Sequence, residues 1–146
     1  MNGIPIERVS EYKYLGVWLS DTLGWTGHVN RVVRRASQQV GMICRIFYQF
    51  SNSETLLRLY VTHVRLLLEY ASQAWDPLQR TLDSLKRVQK FGLRTSRKSW
   101  DCDYDDLMAW ANLPSLKTHR TIAKVCYIAI ILHGAVHSPT PLPKPR

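Results

Sequence analysis

Two groups of residues in this chain could do chemistry. The first is a run of carboxylates, Asp101, Asp103, Asp105 and Asp106, in the segment WDCDYDDLMAW. Aspartates held rigidly side by side clamp two Mg²⁺ ions in phosphoryl-transfer enzymes. Here the four precede the apolar spacing of Leu107, Trp110 and Ala111. They read instead as the start of a helix, with Asp103 as N-cap and the others at the positive end of the helix dipole. The second group is cationic. Lys86, Arg87, Lys90, Arg94 and Arg97, with Lys98, crowd one helical stretch and are offset only by Asp83. A basic stripe on one helix face suits a phosphate backbone, RNA or DNA. Arg31, Arg34 and Arg35, beside Gln38 and Gln39, form another basic face. Both faces have a plainer account, a solvated helix surface with no partner.

The remaining reactive types make no constellation. His133 and His137 have the spacing of a helical metal pair, but Gly134 and the prolines beyond it interrupt a helix there. Neither HExxH nor CxxC accompanies them, so no metal site is expected. There is no Ser/His/Asp or Cys/His nucleophilic arrangement and no glycine-rich phosphate loop. No catalytic residue and no cofactor is therefore expected. Cys44, Cys102 and Cys126 are odd in number and far apart, which argues for a reducing compartment and against a disulfide framework.

The totals bound the class. The 146 residues fit one domain, 45% of them are apolar, and the formal net charge is +9. That charge points to polyanions and says nothing of the fold. The segment MNGIPIERVSEY lacks the apolar core of a signal peptide. The run from Val125 to Leu132 is too short for a bilayer, which takes about 20 residues. The expectation is an intracellular protein, nuclear or cytoplasmic, not secreted and without membrane contact.

The elements that must position these residues are mostly helical. The stretch from Ser51 to Pro77 is the expected centre, with Leu57, Tyr60, Val64, Leu67, Ala71 and Ala74 stepping by three and four. Arg58, Thr62, Arg65, Glu69 and Gln73 are its polar stripe, on which Arg65 and Glu69 read as a surface ion pair. A helix this apolar needs cover on several sides. Ser51 with Glu54 suggests a capping box, and Pro77 an end. A preceding helix, near 28–50, places Val29, Val33, Ala36, Val40, Ile43, Phe47 and Phe50 inward, with Thr26 as N-cap and Gly41 as a point of close packing. Leu82, Leu85, Val88 and Phe91 give the apolar edge of a helix near 80–96, and two more fall near 104–112 and 116–134. The last is apolar through Ile122, Ala123, Cys126, Tyr127, Ile130 and Ile131. Before them, a short strand over Ile4–Val9, a break at Ser10-Glu11 and a second strand through Tyr12, Tyr14, Val17 and Leu19 make a hairpin. Gly16 there implies a bulge or a close backbone approach. The fold class is mainly α: a bundle of about five helices with a short N-terminal β-hairpin. The hairpin unit occupies 1–26 and the bundle 27–135, and a proline-rich tail expected to be disordered covers 136–146.

Several of these blocks, in this order, resemble one family. YKYLGVWLSDTLGWTGHV is similar to the block that closes the palm of non-LTR (LINE-type) retrotransposon reverse transcriptases, through Tyr14, Leu15, Gly16, Trp25 and His28. LYVTHVRLLLEYASQAWDP resembles the segment that follows their polymerase core, with Glu69, Tyr70 and Trp75 in place. LDSLKRVQKFGLR matches at Val88 and Gln89. The block after it matches through Tyr104, Leu107, Leu113, Ser115, Leu116 and Arg120, departing at Met108-Ala109 and His119, and Leu132, His133 and Gly134 close the series. The likeness runs from roughly Asn2 to Gly134. In that family the two metal-binding aspartates sit in a hairpin turn between apolar strands, with another residue after the aromatic and a third aspartate upstream. Tyr104-Asp105-Asp106 has none of that context.

The resemblance implies a thumb-side piece of an RNA-directed DNA polymerase, without the catalytic segment that lies N-terminal to the YLGV block. Mg²⁺ is expected only in the intact enzyme, which copies RNA into DNA. Lys86, Arg87, Lys90, Arg94 and Arg97, with Arg31, Arg34 and Arg35, would then lean on a template–primer backbone, and the palm and fingers would be a further partner. Two other readings stand beside this one, a stand-alone basic helical module that binds nucleic acid and a helical protein-interaction domain.

Overall fold

A computed structural model describes residues 8–75 and 79–133, with backbone only at 79 and 80. Its first element follows from two residues, Leu15 and Gly16, whose φ angles are both positive at 45° and 84°. That is the pattern of a type I′ turn, whose twist matches that of the strands it joins. It connects β1 (Glu11–Tyr14) to β2 (Val17–Ser20), antiparallel, with Tyr14 opposite Val17 and Glu11 opposite Ser20. The hairpin exists, but its turn is at Leu15-Gly16, inside the expected second strand, and not at Ser10-Glu11. The turn comes later because Gly16 takes positive φ freely, and the expected first strand over Ile4–Val9 falls mostly outside the described residues. Gly16 also makes the close approach anticipated for it: a Cβ there would lie 3.2 Å from the Tyr70 ring.

Helix α1 (Thr26–Phe47) turns His28, Val29, Ala36, Val40 and Ile43 into the core. Trp25 occupies its N-cap position and no side chain caps it, so the cap expected at Thr26 is not made. Phe50, expected on the inner face, lies beyond the helix and is 90% exposed. Helix α2 is continuous but not uniform: α over Ser53–Leu59, π over Tyr60–Arg65 and α again over Leu66–Glu69. Its cap is Asn52, whose side chain accepts from the Thr55 N–H at 2.8 Å, while Glu54 pairs with Arg58. Neither half of the expected Ser51 capping box therefore forms.

A side-chain hydroxyl back-bonds within the π turn. The Thr62 hydroxyl donates to the carbonyls of Arg58, at 2.9 Å, and Leu59, at 3.3 Å, a back-bond that loosens the helical ladder. A wider turn keeps every fourth residue on one side. The buried face is accordingly Leu56, Tyr60, Val64 and Leu68, not the expected set that alternates by three and four. The helix ends at Glu69, where Tyr70 turns extended and Ala71 takes a left-handed φ of 52°. The expected continuation to Pro77 is not made, and Pro77 itself lies outside the described residues.

Helix α3 (Gln79–Arg97) buries Leu85, Val88, Gln89, Leu93, Thr95 and Ser96 against α1 and α2. Phe91, expected on its apolar edge, is 39% exposed. Gln89 carries the next element: its Oε1 accepts from the Tyr104 hydroxyl at 2.6 Å and its Nε2 donates to the Met108 sulfur. Both partners belong to α4 (Tyr104–Ala111), which starts at Asp103 and stops at a left-handed Asn112. Asp103 holds the N-cap position through its backbone, with no side-chain bond. Helix α5 (Leu116–Leu132) is capped by Ser115, which accepts from the Thr118 N–H. Only Leu116 and Arg120 of α5 are buried. Ile122, Val125, Tyr127, Ile128, Ile130 and Leu132 are exposed, so the apolar face read from the sequence is not a core face within this unit. No helix among the described residues is long and apolar enough to cross a membrane. The proline-rich segment 136–146 lies outside the description.

Two glycines test the packing. A Cβ on Gly92 would meet the buried Tyr60 ring at 2.5 Å, whereas one on Gly41 meets nothing within 4 Å. The close packing expected at Gly41 thus occurs at Gly92 instead. Gly92→Ala should lower stability by about 1–3 kcal/mol through overpacking. Gly41→Ala should raise it by about 0.5–1 kcal/mol, the helix propensity gained without strain. Urea midpoints at constant slope measure both, and shifts of the same sign would contradict this packing.

Candidate nucleic-acid interface

The cations of α3 share one arc of the helix, opposite Leu85, Val88, Gln89 and Leu93. They do not share one environment. Lys86 and Arg87 are exposed and Lys90 is half-buried, and none of the three pairs with an acid among the described residues. Arg94 donates from Nη2 to the Cys102 carbonyl at 3.1 Å, holding the loop that leads to α4. The Arg97 guanidinium lies 5.8 Å over the Trp110 ring, and Lys98 lies 5.2 Å over Tyr48. The free charge of the stripe is therefore concentrated at Lys86, Arg87 and Lys90.

On α1, Arg31 is committed. It pairs with Glu11 of β1 and lies 4.2 Å over the Trp18 ring of β2, pinning the hairpin to the helix. The pairing holds the Glu11 carboxyl below its ordinary range. Arg34 and Arg35 stay exposed. Helix α1 packs on α3. There Arg87 borders a shallow groove with Val33, Ser37, Ser84 and Phe91. The four aspartates stand elsewhere, with Asp105 and Asp106 exposed on the first turn of α4.

Leu15, His28, Tyr70, Trp75 and Arg120, which come from distant segments, meet in one place. The Tyr70 hydroxyl donates to the Leu15 carbonyl at 2.8 Å, across the turn that Gly16 completes. Trp75 is buried, donates from Nε1 to the Tyr70 carbonyl at 2.9 Å, and meets the His28 ring edge-on at 5.1 Å. Arg120 lies 4.7 Å over the ring of Trp75. Trp25 packs half-buried at the start of α1, and Tyr14 is exposed on β1.

Glu69 belongs to a buried network that the sequence did not disclose. Arg65 Nε lies 2.8 Å from its Oε1, with the side chains 5% and 11% exposed, and His119 Nδ1 lies 3.4 Å from its Oε2. The ion pair expected on the surface is thus internal. Breaking it costs about 3–5 kcal/mol instead of a few tenths. Arg65 also donates to the Pro114 carbonyl at 2.7 Å. Only the four-residue spacing of Arg65 and Glu69 hinted at the pair, and nothing local announces its distant partners.

His28 generates a pH prediction. Its Nδ1 accepts the Trp18 N–H at 3.3 Å, and its Nε2 has no hydrogen-bond partner among the described residues. Burial, aided by the nearby Arg31 charge, holds its pKa below the ordinary 6.5. The folded imidazole stays neutral while the unfolded one takes a proton, so stability rises with pH through this window. It should be fully present above about pH 7 and fall as pH drops through 6.5 toward the lower folded value. His28→Gln should flatten the stability profile between about pH 7 and 5, as read by urea denaturation. An unchanged profile would place the titration on another group.

Comparison with protein-family models, with curated proteins and with solved structures finds no match for this chain.

Proposed function

We propose that this chain is a non-catalytic, thumb-like module of a non-LTR retrotransposon reverse transcriptase that leans on a nucleic-acid backbone. The observation that carries the contact is the set of cations Lys86, Arg87 and Lys90 on one arc of α3, without an acidic partner among the described residues. Phosphates neutralise such a set without reading sequence. The meeting of Leu15, Gly16, Tyr70 and Trp75 supports the family part of the reading, since blocks far apart in the chain form one unit. Mg²⁺ and the palm and fingers belong to the intact enzyme in this proposal, and its compartment is intracellular. A stand-alone basic module would use the same cations. A protein-interaction domain is favoured by a different feature, the exposed apolar length of α5.

Binding should be independent of sequence and fall steeply with salt. Replacing Lys86 and Arg87 together with glutamine should flatten the slope of log affinity against log salt on duplex DNA by about 2, close to 0.9 per phosphate contact. Arg58, exposed and paired with Glu54 at 2.7 Å, is the control, and Arg58→Gln should leave the slope unchanged. Fluorescence anisotropy reads all three proteins. An unchanged slope in the double variant would put the contact elsewhere, and no binding at low salt would favour the interaction domain.

These 146 residues should not extend a primer with Mg²⁺ or Mn²⁺, because Asp105 and Asp106 stand exposed on a helix turn instead of clamping metal. Extension by the pure protein that is lost in the Asp105→Asn, Asp106→Asn variant would overturn this.

A further inference from the structure

A cleft of about 340 Å³ opens between the hairpin, the start of α1 and the end of α2. It lies at the small end of the range of ligand sites, roughly 300–1,000 Å³. Its walls are built by the pairing of the strands. Lys13 stands directly across from Trp18 in the register, and residues so paired project from one face of a hairpin. That face is turned to α1, whose Arg31 covers Trp18 and whose Arg35 follows one turn later. The opposite wall is the Tyr70 ring, fixed by its hydroxyl on the Leu15 carbonyl and by contact with Gly16. Leu67 adds apolar surface.

The charge balance of the cleft narrows its ligand. No acid stands among the described residues that line it, and Arg31 of its wall is neutralised by Glu11 of β1. His28, at the inner wall, is neutral near pH 7. Lys13 and Arg35 are exposed and have no partner among the described residues. Two free cations beside a fixed aromatic wall suit a dianion that carries a flat ring. A phosphomonoester has that charge at pH 7, an arginine fork matches its oxygens, and aromatic side chains stack on planar bases.

We infer that this cleft binds a phosphomonoester bearing a planar ring, the chemistry of a nucleoside 5′-monophosphate. The inference does not rest on the backbone contact of α3, whose Lys86 and Arg87 lie outside the cleft.

The test is calorimetric titration of the full chain with AMP, adenosine and inorganic phosphate. AMP should saturate one site with Kd of order 1 mM or tighter, at least about tenfold tighter than adenosine or phosphate. Lys13→Gln and Arg35→Gln should each weaken AMP by about fivefold or more. Arg87→Gln, on α3, should not change it. Lys13 and Arg35 are exposed, so circular dichroism should show both variants folded. No binding of AMP at about 10 mM would sink the inference. Equal affinity for AMP and phosphate would remove the ring, and equal loss in Arg87→Gln and Arg35→Gln would reduce the effect to general surface charge. Each of those results also overturns it. Loss of duplex binding in the Lys86, Arg87 variant with AMP binding intact would separate this site from the backbone contact.

Discussion

Two buried guanidinium groups at the end of α2 hold the structure together. A helix end leaves carbonyls without partners, and one that stops inside a protein must find donors there. Arg120 supplies one, donating from Nη2 to the Leu68 carbonyl at 3.0 Å, and in doing so seats the first turns of α5. Arg65, on α2 itself, reaches the Pro114 carbonyl and fixes the loop between α4 and α5. Two cations also suit the negative end of the helix dipole, and Glu69 offsets part of their charge. From this clamp the contacts run outward. Arg120 covers Trp75, Trp75 meets His28, and His28 accepts the Trp18 N–H of the hairpin.

What could be read in the sequence was what local physics decides. The number, order and approximate extent of the helices follow from apolar spacing, and α3 (Gln79–Arg97) and the start of α4 after the aspartates stand close to where that spacing puts them. The hairpin was legible as an element but not in register. Leu15-Gly16 is a turn signal that the β-forming residues around it concealed. The π turn was not legible as periodicity, since it shifts the buried face to every fourth residue, Leu56, Tyr60, Val64 and Leu68. Gly41 and Gly92 look alike in a helical pattern. What separates them is the Tyr60 ring, brought to Gly92 only when α2 packs on α3.

The basic stripe shows the same limit at the candidate site. Five cations share an arc of α3 and Lys98 follows its last residue, yet Cys102, Trp110 and Tyr48 engage Arg94, Arg97 and Lys98. A helical wheel does not contain those partners, which arrive from the loop before α4, from α4 itself and from the turn after α1. The cleft beside the hairpin was hidden for a related reason. Lys13 and Arg35 look like scattered surface charges until the register sets Lys13 across from Trp18 and the turn at Gly16 brings Tyr70 opposite.

The least settled element energetically is α5. It has 17 residues, of which Leu116 and Arg120, both near its start, are buried. Isolated helices of that length are marginal in water, and the exposed remainder is apolar around much of its circumference. Such a helix gains stability chiefly from what covers it. Cover at Ile122, Val125 and Ile128 would hold in place the same helix that carries Arg120. Arg120 in turn caps α2 and covers Trp75. Fraying of α5 that reached its first turns would uncap the Leu68 carbonyl and expose one face of Trp75. The docking of α5 and the end of α2 are therefore one cooperative feature, because they share a single side chain.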